Sequence, residues 1–286
     1  MKLLIVGASG LVGSNLASLA RACGLQVHGT YASHPIAGLG ELDLRNRDDA
    51  IRILDAFKPD AVACCSAWSW VDGCQRDPAR AFLENAELPA HLAKLSHQAG
   101  ARFLYFSSSY VFDGREGPYD ENARPNPISS YGESKLRGEA MVMEATEGTS
   151  LIVRTMGVYG EEPQEKNFVY QVVRSLRAGK AMSIPSDQRG NASHAADVAA
   201  MVLSLLKSQA SGVWNVAGPD PDLYRKDFAL TIARAYDLDA SLFRFVSTSE
   251  LGQPAPRPLG GGLIIKRAVS ASGHQPSAWR PIAIPK

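Results

Sequence analysis

The stretch from Phe106 to Lys135, FSSSYVFDGREGPYDENARPNPISSYGESK, carries residue types that together can move a proton. Tyr131 stands four residues before Lys135, and a run of three serines, Ser107 to Ser109, stands upstream. Ser130-x-x-Glu133 has the form of a capping box, which predicts a helix beginning at Ser130. Tyr131 then lies in the first turn and Lys135 one turn on, on the same face. A free phenol has a pKa of about 10, too high for ready proton exchange near neutrality. An ammonium alongside, helped by the positive end of the helix, would favour the phenolate. The serines close the apolar run Arg102–Phe106, which reads as a buried strand. A serine there can hydrogen-bond the oxygen that exchanges its proton with Tyr131. A Tyr-x-x-x-Lys spacing is also what an ordinary exposed helix start offers, so the reading depends on the elements around it.

The first of these elements is at the other end of the chain. Leu3 to Val6 reads as a short apolar strand, followed by Gly7-Ala-Ser-Gly10-Leu-Val-Gly13 and a helical pattern of Leu11, Asn15, Leu16, Leu19, Ala20 and Ala22. Strand, glycine loop and helix arrive in the order that a dinucleotide-binding turn requires. Gly7 permits the tight turn, Gly10 lets a pyrophosphate approach the helix N-terminus, and Gly13 lets the helix pack on the strand. Gln26–Tyr31 reads as the second strand. A site for NAD usually has an acid near its end to bind the ribose 2′-hydroxyl. Here the residues are Thr30, Tyr31, Ala32, Ser33 and His34, with no acid among them. Nothing there repels a 2′-phosphate, Ser33 and His34 can bond one, and no arginine clamps it. The expectation is a modest preference for NADP(H), with NAD(H) also accepted. Asp43-Leu44 ends a further short segment, where a side chain can meet the adenine.

Behind these sites the chain alternates apolar runs with helical periodicity: Arg47–Phe57, Ala61–Cys65, Pro78–Ala99, Arg102–Ser108, Tyr131–Glu144 and Leu151–Arg154. That alternation predicts an α/β fold, a Rossmann-like, doubly wound parallel sheet. Ser66-Ala-Trp68-Ser-Trp70 then falls at the carboxyl edge of a strand, where such sheets bind ligands. Trp68 and Trp70 read equally as pocket walls or as packing. The expected organisation is a dinucleotide-binding domain over residues 1–160, with 195–218 returning to it. A smaller substrate-binding lobe is expected from 161–194 and 219–286.

Composition narrows the partners. The 286 residues are 45% hydrophobic and 21% charged with a net charge of +1, which gives no reason to expect nucleic acid or an acidic membrane surface. No apolar run approaches a membrane span, and the N-terminal run is too short for a signal peptide. Cys23, Cys64, Cys65 and Cys74 lack metal-site spacing and read as reduced thiols of a cytoplasmic protein, and the six histidines form no ligand set, so no metal is expected.

The glycine loop, Tyr131-x-x-x-Lys135 and Ser107–Gly114 together resemble the extended short-chain dehydrogenase/reductase superfamily. More narrowly, the chain resembles the dTDP-4-dehydrorhamnose reductase family, which also includes the regulatory beta subunit of methionine adenosyltransferase. The resemblance is carried by Ser66-Ala-Trp-Ser-Trp-Val-Asp72, Asn85, Tyr110-Val-Phe-Asp-Gly114, Pro127-x-x-x-Tyr-Gly-x-x-Lys135 with Gly138-Glu139, Arg154-Thr155, Val158-Tyr-Gly160, Asn167-Phe168, Asp187-Gln-x-Gly190, Asp197 and Arg257-Pro258. It implies a catalytic set of Ser108, Tyr131 and Lys135, with Lys135 also on the nicotinamide ribose. It implies hydride transfer to a sugar ketone while Tyr131 protonates the ketone oxygen. The implied cofactor contacts are Gly7, Ser9, Gly10, Leu11, Val12, Gly13, Thr30, Tyr31, Ser33, Asp43, Leu44, Cys65, Ser66, Ala67, Tyr131, Lys135 and Met156. The implied contacts to a nucleotide-sugar substrate are Ser69, Ser108, Ser109, Tyr110, Asn167 and Arg257, the last on a diphosphate. A homodimer is compatible with it.

Three departures bear on the sugar. Ser109 stands where the family usually has Asp, Gly157 where rhamnose-forming members often have Trp, and Ala192-Ser193 where Pro-Thr is usual. A wider, less acidic pocket is expected, which Ser109→Asp with Gly157→Trp would narrow again. A cofactor-binding regulatory subunit without turnover, or a nucleotide-sugar epimerase or dehydratase, are the other functions the resemblance admits. Ser109 disfavours a dehydratase.

Overall fold

Leu3, Leu4, Ile5 and Val6 bring no polar side chain that needs water. In the computed structural model of the chain, which describes residues 1–284, they form the buried centre of a seven-stranded parallel sheet. The strands are β1 (Lys2–Val6), β2 (Gln26–Tyr31), β3 (Gly40–Glu41), β4 (Ala61–Cys64), β5 (Arg102–Ser108), β6 (Leu151–Thr155), β7 (Val158–Tyr159), β8 (Met182–Pro185), β9 (Ser193–His194), β10 (Gly212–Asn215) and β11 (Phe243–Val246). The helices are α1 (Leu11–Ala22), α2 (Arg47–Phe57), α3 (Val71–Arg76), α4 (Pro78–Phe82), α5 (Leu88–Gln98), α6 (Ser130–Ala145), α7 (Phe168–Arg177), α8 (Ala195–Lys207), α9 (Arg225–Ala235) and α10 (Lys266–Ser272). The sheet order is β10-β6-β5-β4-β1-β2-β3. Strand order reverses between β1 and β4, so a crevice opens at their carboxyl ends.

Alternate residues of a strand face opposite sides, and the core divides accordingly. Leu3 and Ile5 pack with Leu104 and Val153 against α1 and α8. Leu4 and Val6 pack with Val62, Tyr105 and Ile152 against α2, α5 and α6. A separate core joins Tyr159 to Val169, Val172 and Val173 of α7, Ile184 of β8, Phe228 and Ile232 of α9, and Phe243 of β11. The β10 strand meanwhile pairs with β6 at the edge of the main sheet. The substrate lobe drawn from the sequence ends at residue 286; Pro285 and Lys286 lie outside the described residues.

The long helix expected over Pro78–Ala99 is interrupted by a π-helical turn, Leu83–Glu87. The turn carries the buried Asn85, whose Oδ1 accepts from the Trp68 amide (2.8 Å) and whose Nδ2 donates to the Trp68 carbonyl (3.0 Å) and the Ser134 hydroxyl (3.0 Å). The Tyr105 hydroxyl donates to its backbone carbonyl (2.5 Å). A widened turn of this kind frees a carbonyl for such a bond, and the surrounding 3.6-residue pattern hides it from sequence. The four cysteines are free thiols, and among the described residues no helix is long and apolar enough to cross a membrane.

Candidate active site

Helix α1 begins at Leu11, after Gly10, and no side chain caps it. Its first-turn amides are thus left for a ligand, and the helix dipole favours an anion there. Gly7 has φ +84°, and a Cβ on it would sit 2.8 Å from the Ser66 nitrogen. At Gly13 a Cβ would run into the Gly7 carbonyl. A Cβ on Gly10 would meet only the Gly7 oxygen, at 3.5 Å, so that side of the loop is open. Gly7, Ser9, Gly10, Leu11, Val12, Ser33, Cys65, Ser66 and Ala67 line one end of a cleft of about 820 Å³. Gly13 lies behind the loop, and Thr30 is buried with its hydroxyl unpartnered among the described residues. Tyr31, Asp43 and Leu44 do not line the cleft. Asp43 turns its carboxylate to the Arg45 amide (3.0 Å).

Ser108, Ser109, Tyr110, Tyr131, Lys135 and Met156 line the other end of the same cleft. Helix α6 is capped by Ser129, whose hydroxyl accepts from the Gly132 amide at 3.3 Å. The capping box read from Ser130 and Glu133 is therefore displaced by one residue, since Ser130 is already helical and Glu133 is exposed. Tyr131 remains in the first turn, edge-on to the Tyr110 ring (5.4 Å between centroids). Burial pushes the Tyr131 phenol well above a tyrosine's ordinary value, and the hydrogen bond with Ser108 pulls partly the other way. Burial also pulls Lys135 from 10.5 down to about 8, against the nearby Cys64 and Glu139. The Lys135 ammonium lies 4.2 Å over the Tyr105 ring. The Tyr131–Lys135 spacing predicts that the lysine lowers the phenol's pKa. In the fold desolvation decides the sign, because both groups are withdrawn from water. The arrangement keeps a proton on Tyr131, which suits it to donate one.

Beneath these residues lies a charged network that the sequence reading named as pattern without giving it a role. Glu139, one turn after Lys135, accepts from Arg154 Nε (2.8 Å) and Nη2 (2.6 Å) and from the Ser107 hydroxyl (2.5 Å). It ties α6 to the ends of β5 and β6 directly below Ser108.

Ser109, Tyr110, Met156 and Gly157 also wall a side pocket of about 160 Å³, closed by Asn191, Leu223, Arg225 and Phe228. Gly157 has φ +56°, and a Cβ there would run into the Asn191 carbonyl. The glycine is thus required by the backbone, and its position is no vacant space for a ring. Gly157→Trp, alone or with Ser109→Asp, is expected to lower the melting temperature and activity together. Gain of activity with dTDP-4-dehydro-6-deoxy-L-mannose would contradict this. Of the third departure, Ala192 touches the pocket, whereas Ser193 is buried between the Met156 carbonyl (2.5 Å) and the Gly218 amide (2.8 Å).

Ser69 and Asn167 reach the cleft, with Asn167 also capping α7 and donating to the Gly160 carbonyl (2.8 Å). Trp68 and Trp70 are on its wall as well, under Arg80 and Arg76 respectively. Arg257 reaches neither cavity; it pairs with Asp72 (2.9 Å). The cation that does face the side pocket is Arg225, over the Phe168 ring at 3.5 Å. No carboxylate pairs with it among the described residues, and burial draws it down to about 10. Sequence reading missed Arg225, Asn191 and Lys166, because nothing local marks a helix-start arginine or a loop lysine as facing a site formed far away in the chain.

The doubly wound sheet, the open glycine loop and the Ser108–Tyr131–Lys135 constellation define an extended short-chain dehydrogenase/reductase. The family model described as RmlD substrate binding domain matches residues 1–283, and the chain belongs to that family. It is 33% identical over 265 residues to the probable low-salt glycan biosynthesis reductase Agl14 of Haloferax volcanii, covering 90% of this chain and 88% of that one. It is 28% identical to the dTDP-4-dehydrorhamnose reductase of Aggregatibacter actinomycetemcomitans, over 98% of this chain and 96% of that one. The crystal structure of dTDP-4-dehydrorhamnose reductase from Bacillus anthracis in complex with NADP superposes with a TM-score of 0.86 at 26% identity, over 97% and 95% of the two chains.

Proposed function

We propose that the protein reduces the 4-keto group of a 6-deoxy nucleotide sugar with NAD(P)H, a dTDP-linked sugar being the first choice of substrate. The observation that carries this reading is Tyr131 beside Ser108, its phenol pushed up by burial, in one cleft with an uncapped helix N-terminus. The names of the relatives support it. The residues present fit a dinucleotide: Gly10 leaves the loop open, and the α1 amides await a pyrophosphate. When bound, the nicotinamide supplies the hydride. Tyr131 gives its proton to the ketone oxygen, Ser108 hydrogen-bonds that oxygen, and Lys135 holds the nicotinamide ribose. Residues 1–160 with 195–218 serve as the cofactor domain, and 161–194 with 219–286 as the substrate lobe.

Arg225 is assigned to the substrate diphosphate, the role that sequence reading gave to Arg257. A half-buried cation without a counter-ion is costly until an anion meets it. Arg225→Met is expected to raise KM about 10- to 100-fold with a smaller change in kcat, the signature of lost ground-state binding. An unchanged KM would remove Arg225 from the diphosphate.

The test of the reading as a whole is loss of NADPH absorbance with a panel of nucleotide-linked keto sugars. Turnover of one of them supports it. No turnover with any, together with recovery of a tight protein partner, would replace it with the regulatory-subunit reading.

A further inference from the structure

We propose that Lys166, with Ser33 and His34, forms a binding site for the 2′-phosphate of NADP(H), built across the two parts of the fold. The proposal deepens the cofactor reading above and rests on it. Lys166 is 132 residues from His34, yet its ammonium lies 3.4 Å from His34 Nε2. The Ser33 hydroxyl lies 2.9 Å from the other ring nitrogen, Nδ1. All three residues line the cofactor end of the cleft.

Segment 161–166 is held in place over this end. Gln164 Nε2 donates to the Ser9 carbonyl (3.1 Å), and Asn15 Nδ2 donates to the Glu161 carbonyl (2.9 Å). The Lys166 ammonium donates to Gln164 Oε1 (2.6 Å). Among the described residues no carboxylate pairs with it. Of the acids around it, Glu165 pairs with Arg174 and Glu161 accepts from the Ala283 amide, while Glu162, which also lines the cleft, has its Oε1 taken by the Lys166 and Asn167 amides and the Asn167 side chain. An ammonium has three donors, and here only neutral partners meet them. A phosphate monoester dianion is the ligand that this exposed ammonium, the Ser33 hydroxyl and the His34 ring together suit, since charge-assisted bonds to it exceed those to an amide oxygen or an imidazole. The end of β2, with no acid from Thr30 to His34, does not oppose it. Cofactor choice thus draws its cation from the opposite part of the chain to the glycine loop.

The experiment is calorimetric titration with 2′,5′-ADP and with 5′-ADP, probes that carry no nicotinamide and undergo no reaction. The wild type is expected to bind 2′,5′-ADP about 10- to 100-fold more tightly, the range for a bond to a charged group. Lys166→Met is expected to bring that ratio near one while 5′-ADP affinity stays within about 3-fold, and Ser33→Ala to reduce the ratio partially. A ratio unchanged in Lys166→Met, or a wild type that does not discriminate, overturns the proposal. If neither nucleotide binds, the cofactor reading falls and the proposal with it. Discrimination by Lys166 without turnover of any keto sugar would sustain the proposal and sink only the substrate assignment.

Discussion

Tyr131→Phe is expected to lower kcat by about 10²-fold or more while NADPH still binds with near wild-type affinity, the usual scale for removing a positioned proton donor. The change deletes one oxygen and keeps the ring, so the edge-on contact with Tyr110 and the packing of the α6 start survive. The loss is therefore chemical rather than structural. Ser108 cannot substitute, because a hydroxyl that hydrogen-bonds the ketone still needs a proton source behind it. Stopped-flow hydride transfer and an equilibrium titration of NADPH separate the two effects. Wild-type turnover in Tyr131→Phe would end the proposed mechanism.

Glu139→Ala has the largest expected effect on stability. Glu139 and Arg154 are 5% and 4% exposed, and the carboxylate is the only group that neutralises this guanidinium among the ion pairs of the described residues. Arg154 Nη1 is already without a hydrogen-bond partner there. Removing one partner of a buried pair leaves the other charge in a medium that solvates it poorly, at a cost of about 3–5 kcal/mol. Denaturant midpoints at constant m measure this directly. Replacing both partners, Glu139→Leu with Arg154→Met, should recover most of the loss, since a packed apolar pair carries no desolvation penalty. A loss under about 1 kcal/mol for Glu139→Ala would show that the network contributes little to stability.

What was legible in the sequence was local. Leu3–Val6, Gly7, Gly10 and Gly13 announce strand, turn and helix within one short stretch, and the sheet forms there. Tyr131 and Lys135 declare a shared helix face by spacing alone, and α6 runs through both. Adjacent serines blurred the cap, since Ser129 and Ser130 are equally good candidates until backbone geometry chooses Ser129. What could not be read depends on long-range packing. Arg225 meets Phe168, Arg257 meets Asp72, and Lys166 meets His34, all between segments whose adjacency no periodicity encodes. The sign of the pKa change at Tyr131 was hidden for the same reason, because burial is a property of the assembled fold.

The docking of segment 161–166 on the glycine loop and α1 has a consequence for exchange rates. Two of the hydrogen bonds that hold it, Gln164 to Ser9 and Asn15 to Glu161, each contribute a net of about 1 kcal/mol. An opening that broke only these two bonds would cost about 2 kcal/mol, a population of about 3%. A nucleotide that lies against the segment would have to break its contact with Lys166 before it could leave. Entry is slowed by the docked segment alone, whereas exit is slowed by the segment and the Lys166 contact together, so a 2′-phosphate held there gains both affinity and residence time.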